Sequence, residues 1–453
     1  MRIFLLALLI LTSFGQDNTF LIKKRIDVGV LMCKNSSNLS SSVGWQTSAS
    51  AITISMDRVN REGLLDGVDL NFIFLFDDCI ESRAAGLASK LLTESNVSAI
   101  IGPTCNKAGL AVVNLAAYYN VPVLTWGLTI SSQFINIERF PTTITLVPVS
   151  KTVANAVHQT MIEFGWTEFV YIFYEDEKCG YFREDLEAIT SESNHTSLTR
   201  TVQLYENTYA NFQKQLGRLK NVTRIFTVCL PEDGQIKRWF MLAAYDLQMT
   251  NNEYVYLFAG PKSTAYQQTS SSGEVVGAWV DWSTTPDGRD NEAKKAFMRT
   301  MVIVATPVAS EELAEFKKDV IDKMKLPPFN CTTECEAKEY QEAAEYADQL
   351  HDTVYLYAMI LNKTIEEDGV GQIANGSFMV GKTAGVVFEG MSGLVRMNSE
   401  GYRLPNMILA NLDSNATQRT VASMDIDTDS VVANAHRLSF LLKILGFLRF
   451  GGN

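Results

Sequence analysis

Residues 99–126, AIIGPTCNKAGLAVVNLAAYYNVPVLTW, decide the fold. Ala99-Ile100-Ile101 is a short apolar strand that runs into Gly102-Pro103, Lys107–Tyr119 is helical, and Pro122–Trp126 is a second short strand. Strand, helix, strand in so few residues is the βαβ unit, which pairs its strands in parallel and covers the sheet with helices.

The same rhythm extends in both directions. Upstream lie strand Ile26–Met32, a helix over Trp45–Asn60 with apolar residues at Ala49, Ile52, Ile54, Met56 and Val59, strand Val68–Phe76 and helix Ser82–Thr93. Downstream, strand Thr142–Val147 leads to helix Thr152–Phe164, strand Phe169–Tyr174, helix Tyr181–Thr190 and strand Thr199–Leu204. Helix Asn211–Leu219, strand Arg224–Cys229, helix Gln235–Leu247 and strand Tyr254–Ala259 follow. The right-handed crossover rule makes these doubly wound α/β layers. So many strands exceed one ordinary sheet, which predicts two α/β lobes. A polar stretch, Thr264–Glu292, then precedes a region read as helical over Asn291–Asn362. Thr383–Leu412, punctuated by Gly385, Gly390, Gly393 and Gly401, reads as antiparallel hairpins.

A length of 453 residues agrees with two or three domains, and 46% hydrophobic against 20% charged residues is a globular balance. Lys+Arg 39 against Asp+Glu 51 gives a net charge of −12, which argues against nucleic acid as partner. Only His158, His195, His351 and His436 are present, so most triads and zinc sites are excluded at the outset.

Met1-Arg2, the apolar run Ile3–Leu11 and the small residues Ser13 and Gly15 read as a secretory signal over residues 1–15. Nine Asn-x-Ser/Thr acceptors point to the same compartment: Asn35, Asn38, Asn96, Asn194, Asn221, Asn330, Asn362, Asn375 and Asn415. Seven cysteines fit an oxidising environment, and their odd number leaves one unpaired or joined to a second chain. Spacing alone assigns no partners. Local pairing of Cys79 with Cys105, Cys179 with Cys229 and Cys331 with Cys335 is a starting guess that leaves Cys33 as a buried thiol. No apolar run after the signal is long enough to span a membrane, Leu438–Phe450 being short and interrupted by Lys443 and Arg449. The expected location is secreted, or the extracellular face of the plasma membrane if the chain is part of a longer receptor.

Motifs with chemistry dissolve on inspection. Residues 376–383, GSFMVGKT, match the phosphate-loop pattern, but the flanks lack its strand and helix, and Asn375-Gly376-Ser377 is a glycosylation acceptor. Asp77-Asp78, and Asp176, Glu177 and Lys178, follow strands at the end where α/β sheets bind ligands. For Asp77-Asp78 a solvated loop end is the better reading because no third oxygen ligand is identifiable, and the second group allows the same two readings. Cys331 and Cys335 have no histidines nearby, so a small disulfide loop is expected and no metal site. No nucleophile, base and oxyanion grouping can be assembled, so the chain is not read as an enzyme.

Several of these segments are familiar in order. AIIGPTC at 99–105, YYNVPVLT at 118–125, Phe164-Gly165-Trp166, Glu177-Lys178-Cys179, Arg224–Cys229 and Phe388–Gly393 resemble the receptor family ligand-binding region. The nearest likeness is to the extracellular domains of natriuretic peptide receptors and nematode receptor guanylate cyclases, over roughly residues 26–430. The resemblance implies a type I periplasmic-binding-protein-like fold, two doubly wound α/β lobes with an interlobe cleft. Residues 26–150 and 290–380 are expected in the first lobe, 151–289 and 381–430 in the second, and 431–453 as a tail without a transmembrane helix. It also implies the first two disulfides guessed above.

By position, Tyr181 and Glu184 match the family's peptide-contacting segment, with Gly180 and Arg183 departing from it. Thr104, Thr125, Ser132 and Trp126, near strand ends, would line the cleft for a small, amino-acid-like ligand instead. Family members bind chloride through backbone amides matching Thr104 and Cys105 and a serine whose place is taken by Gly44, so no cofactor is expected. The implied partners are a peptide or small-molecule ligand and a second copy or related receptor chain. The kinase-like and guanylate cyclase regions of such receptors are not expected within these residues. The expected role is signalling, clearance or decoy binding, in which ligand shifts the population of lobe or dimer arrangements.

Overall fold

Alternation with period two places apolar side chains on both faces of the central strands, and both faces need a covering layer. The computed structural model describes residues 24–425 and 430–433, except 177, 233–234, 261–264, 271–273 and 306–309. The signal-like residues 1–15 and the tail beyond 433 lie outside the described residues.

The strands, in chain order, begin with β1 (Lys24–Met32), β2 (Val68–Phe76), β3 (Ala99–Ile101), β4 (Val123–Thr125) and β5 (Thr143–Thr145). These five form one parallel sheet, in the order β2-β1-β3-β4-β5. Then come β6 (Glu168–Tyr174), β7 (Ser197–Leu204), β8 (Ile225–Cys229), β9 (Val255–Ala259), a small pair β10 (Gln267–Thr269) and β11 (Val275–Gly277), and β12 (Thr300–Ala305). The hairpin β13 (Val387–Gly390) and β14 (Gly393–Arg396) precedes β15 (Asn406–Leu412), β16 (Gln418–Asp425) and β17 (Ser430–Ala433). The second sheet has eight strands in the order β17-β16-β15-β12-β9-β8-β6-β7. It is parallel from β7 to β12 and antiparallel beyond. This is the mixed α/β architecture expected. In the second lobe Phe169, Tyr171 and Phe173 enter one core while Val170 and Ile172 enter the other.

Three details differ from the sequence reading. The helix expected over Trp45–Asn60 is two pieces, Trp45–Ser48 and Ala51–Glu62. Between them the Ser48 and Ser50 hydroxyls donate to the carbonyls of Gly44 and Val320, competing with helical hydrogen bonds. Second, the helical region expected from 291 contains β12, whose run TMVIVA is wholly apolar. A run that short has no periodicity to separate strand from buried helix. Pairing of β12 with β9 and β15, and packing of helix Asp290–Phe297 against helix Ile236–Asp246, put residues 290–305 in the second lobe, not the first. Third, Val386, Phe388, Val395 and Met397 join the first lobe's core, so the hairpin β13–β14 belongs there and the chain re-enters the second lobe only at β15. The expected boundaries at 290 and 381 therefore shift to about 305 and 405, and the expected tail begins within β17.

Two crossings between lobes lie side by side. Thr145, ending β5, bridges Tyr402: Thr145 N–H donates to Gly401 O (2.7 Å) and Arg403 N–H to Thr145 O (2.9 Å). Gly401 (φ 83°) is needed there, because a Cβ would lie 2.9 Å from Thr143 O. Beside this ribbon Arg403 is wholly buried, donating to Ser392 Oγ and to the carbonyls of Ser392 and Leu394.

Candidate functional site

In the first lobe the carboxyl ends of the strands are shaped by Gly102, whose φ of 90° brings it so close to β1 that a Cβ would sit 2.3 Å from Leu31 O. Disulfide Cys79–Cys105 joins the loop after β2 to the start of helix Asn106–Tyr119. Disulfides Cys179–Cys229 and Cys331–Cys335 are also present, and Cys33 is a buried free thiol. Thr104, Thr125 and Trp126, expected to line the cleft, stand at these strand ends but are fully buried. The Thr104 hydroxyl lies 3.7 Å from Cys79 Sγ, Thr125 Oγ1 donates to Thr145 Oγ1 (3.3 Å), and Trp126 packs in the first-lobe core with Val43 and Leu128. In this arrangement none of the three presents a surface to a ligand.

The second lobe meets the first through helix Cys179–Glu192. Asp176 fixes its start by accepting from the backbone N–H groups of Lys178 (2.8 Å) and Cys179 (2.7 Å), an N-terminal cap. Lys178 Nζ reaches out of the second lobe to both oxygens of Glu345, at 2.9 and 2.8 Å. Glu345 belongs to the first lobe: its N–H donates to Ser41 O, and Ser42 Oγ donates to its carboxylate (3.2 Å). Burial alone would lower the Lys178 pKa, but Tyr346 and Glu345 beside it raise it well above the ordinary range, so the pair is ionic.

Two turns along the helix, Asp185 makes the second contact. It accepts from Ser132 Oγ of the first lobe (2.7 Å) and from the Ser150 hydroxyl. Burial raises the Asp185 pKa, held back by those two hydroxyls and by Lys151. Positions 178, 181 and 185 share one face of a helix, so half-buried Tyr181 lies between the two contacts. Glu184 is exposed and 3.7 Å from Arg183. Glu345, Ser42 and Asp185 were not legible in the sequence. Lys178 was marked by its place at a strand end, but Glu345, 167 residues away, carries no local pattern that would pair the two.

Beside Lys178 a small recess opens at the carboxyl ends of β6, β8 and β9, lined by Lys178, Leu230, Glu232, Lys237 and Phe258. Glu232 and Lys237 pair at 2.5 Å across it. Among the described residues no group of three or more His, Cys, Asp or Glu is placed to hold a metal ion. At the phosphate-loop match, Gly376–Gly381 is a six-residue helix and Lys382 is engaged by Glu367 (2.7 Å) and Asp368, so the lysine is not presented to a phosphate. Asp78 accepts from the N–H groups of Lys34 and Asn35 and pairs with Arg83 (2.6 Å). At Gly44 a Cβ would lie 2.7 Å from Ser40 O, so a serine does not fit there and chloride binding of the family's kind does not suit these residues. Seven of the nine sequon asparagines are exposed. Asn362 and Asn375 are half-buried, their amide nitrogens donating to Glu366 and Gln372.

Comparison with known proteins gives the same picture as the topology. The model of the receptor family ligand binding region matches residues 47–415. Receptor-type guanylate cyclase gcy-13 of Caenorhabditis elegans is 72% identical over 393 residues, covering 87% of this chain and 38% of that protein. Receptor-type guanylate cyclase gcy-20 of the same organism is 34% identical over 444 residues (95% of this chain, 39% of that protein). Receptor-type guanylate cyclase gcy-6 is 35% identical over 403 residues (87% and 37%). The chain thus spans well under half the length of these relatives.

Proposed function

The chain belongs to the family of receptor ligand-binding regions, and from that premise we propose that it is the extracellular ligand-binding region of a guanylate-cyclase-type receptor. Its ligand is a peptide hormone-like molecule, and binding changes the arrangement of the lobes or of a dimer formed with a second copy or a related chain. The role is signalling, clearance or decoy binding on the extracellular side, with the signal sequence removed and exposed sequons glycosylated. No catalytic role is proposed for these residues, and no helix among the described residues is long and apolar enough to cross a membrane.

The observation that carries this reading is the position of helix Cys179–Glu192. Its Lys178 and Asp185 touch the other lobe through polar groups; Tyr181 shares their face by helical spacing, and exposed Glu184 is the residue before Asp185. A ligand that engages those residues has differential contact with the two arrangements, which is what shifting a population requires. A second reading is a small molecule with charged groups held beside Lys178, where Glu232 and Lys237 offer one acidic and one basic side chain.

A thermal-shift screen of peptides and metabolites tests both. A ligand at about 100 times its Kd stabilises by about 2.7 kcal/mol. Tyr181→Ala and Glu184→Ala are expected to weaken a peptide by roughly tenfold each, about 1.4 kcal/mol. Lys237→Met is expected to weaken a small anionic ligand and leave a peptide unaffected. A ligand found in the screen that is indifferent to all three substitutions would sink the placement at the seam.

A further inference from the structure

Two contacts between the lobes lie on one side of one helix. Lys178 of the second lobe is bound by Glu345 of the first, and Asp185 of the second lobe is bound by Ser132 of the first. The Lys178 and Glu345 side chains are 17% and 24% exposed, so the pair is largely out of water. Asp185 is anchored by Ser150, which opens helix Ser150–Glu163 of the second lobe and so lies beyond the boundary expected at 150. Glu345 is anchored in the first lobe by Ser42, so each partner is oriented before the lobes meet. We propose that these pairs are a two-point clasp that holds the lobes together without ligand, so that the resting state is closed and the ligand acts by releasing or replacing the clasp. This deepens the function proposed above by naming the device on which a ligand at the seam would act.

The chemistry suits a reversible device. Both pairs exchange their partners for water on opening, unlike an apolar seam, which would expose surface that water cannot satisfy. The ionic point is directional in its effect: removing Glu345 leaves a half-buried ammonium with no lobe-one carboxylate, and opening is the route by which it regains water. By helical spacing Tyr181 falls on the same face, between the two points.

Small-angle scattering of the ligand-free chain tests the proposal, comparing wild type with Glu345→Ala/Ser132→Ala. Both substitutions remove first-lobe groups and leave helix Cys179–Glu192 intact. The double variant is expected to show a larger radius of gyration; a folded double variant with the wild-type radius of gyration overturns the clasp. If the double variant fails to fold, the pair Ser132→Cys/Asp185→Cys decides. A disulfide that forms on mild oxidation and leaves the scattering curve unchanged supports closure at rest, and cysteines that stay reduced overturn it. No ligand enters either measurement, so a negative result leaves ligand binding at the seam untouched, and a failed ligand screen leaves the clasp untouched.

Discussion

Asp77 is the residue whose chemistry departs furthest from its sequence context. Next to it Asp78 is satisfied by two backbone N–H groups and Arg83, but Asp77 is wholly buried and its Oδ2 has no hydrogen-bond partner. Burial pushes its carboxyl up to about 7 from an ordinary 3.8, only partly offset by the N–H of Cys79. The folded chain then holds a proton that the unfolded chain has shed, so this group's contribution to stability falls as pH rises from the unfolded value to about 7. The loss reaches up to about 4 kcal/mol by linkage. Asp77→Asn cannot ionise and is expected to raise the melting temperature more at about pH 8 than at about pH 5; equal shifts at both would show that the carboxyl is ionised throughout. Cys33 makes a companion case. Burial, first of all, raises its thiol to about 11, so iodoacetamide is expected to leave it unmodified in the folded chain and to label it after denaturation, as read by intact mass. Neither pKa could be read from DDC or LMC in the sequence, because desolvation is decided by what packs over a strand end from elsewhere in the chain.

Among the elements, the hairpin β13–β14 is held at its turn by a buried carboxylate of another element, alongside the bonds it accepts from Arg403 and Arg58. Asp352, in helix Ala347–Asp368, accepts from His351 Nδ1 (2.8 Å), from the N–H groups of Met391 and Ser392 (2.8 Å each) and from Ser392 Oγ (2.6 Å). Gly390 is required beside it, since a Cβ there would lie 2.3 Å from Asp352 Oδ2. Asp352→Ala strands these donors in a buried site and is expected to cost about 3–5 kcal/mol, measured by denaturant unfolding. A cost below about 1 kcal/mol would mean the hairpin holds itself. The glycines and the hairpin were legible in the sequence, as were β2, β3 and most helices within a residue or two, because turn residues and periodicity are local. The split at Ser50, the strand β12 and the attachment of the hairpin to the first lobe were not, because each is decided by a partner distant in sequence.

At the scale of the molecule the two long-range disulfides fasten one lobe each. Chain entropy gives about 3.5 kcal/mol for Cys79–Cys105 and about 4 kcal/mol for Cys179–Cys229, from separations of 26 and 50 residues, and about 2 kcal/mol for Cys331–Cys335, from a separation of 4. Paired Cys→Ser substitution is expected to follow that order in melting temperature, checked by calorimetry. If replacing Cys331 and Cys335 proves the most damaging, loop closure is not what these bonds contribute. The two-lobe plan was legible from the count of βαβ units; how the lobes touch was not, since a seam made of Ser, Asp, Lys and Glu looks in sequence like ordinary surface.

The paired crossings at Thr145 and Tyr402 carry a mechanical consequence. The two segments are joined by a single bridge of two hydrogen bonds at Thr145, which fixes their spacing there and leaves turning about that point as the easier motion. Relative travel of the halves is thereby channelled into rotation about one line, with small displacement near Arg403 and large displacement at the far rim. Release of the clasp would then be felt at the rim as a turn about that line.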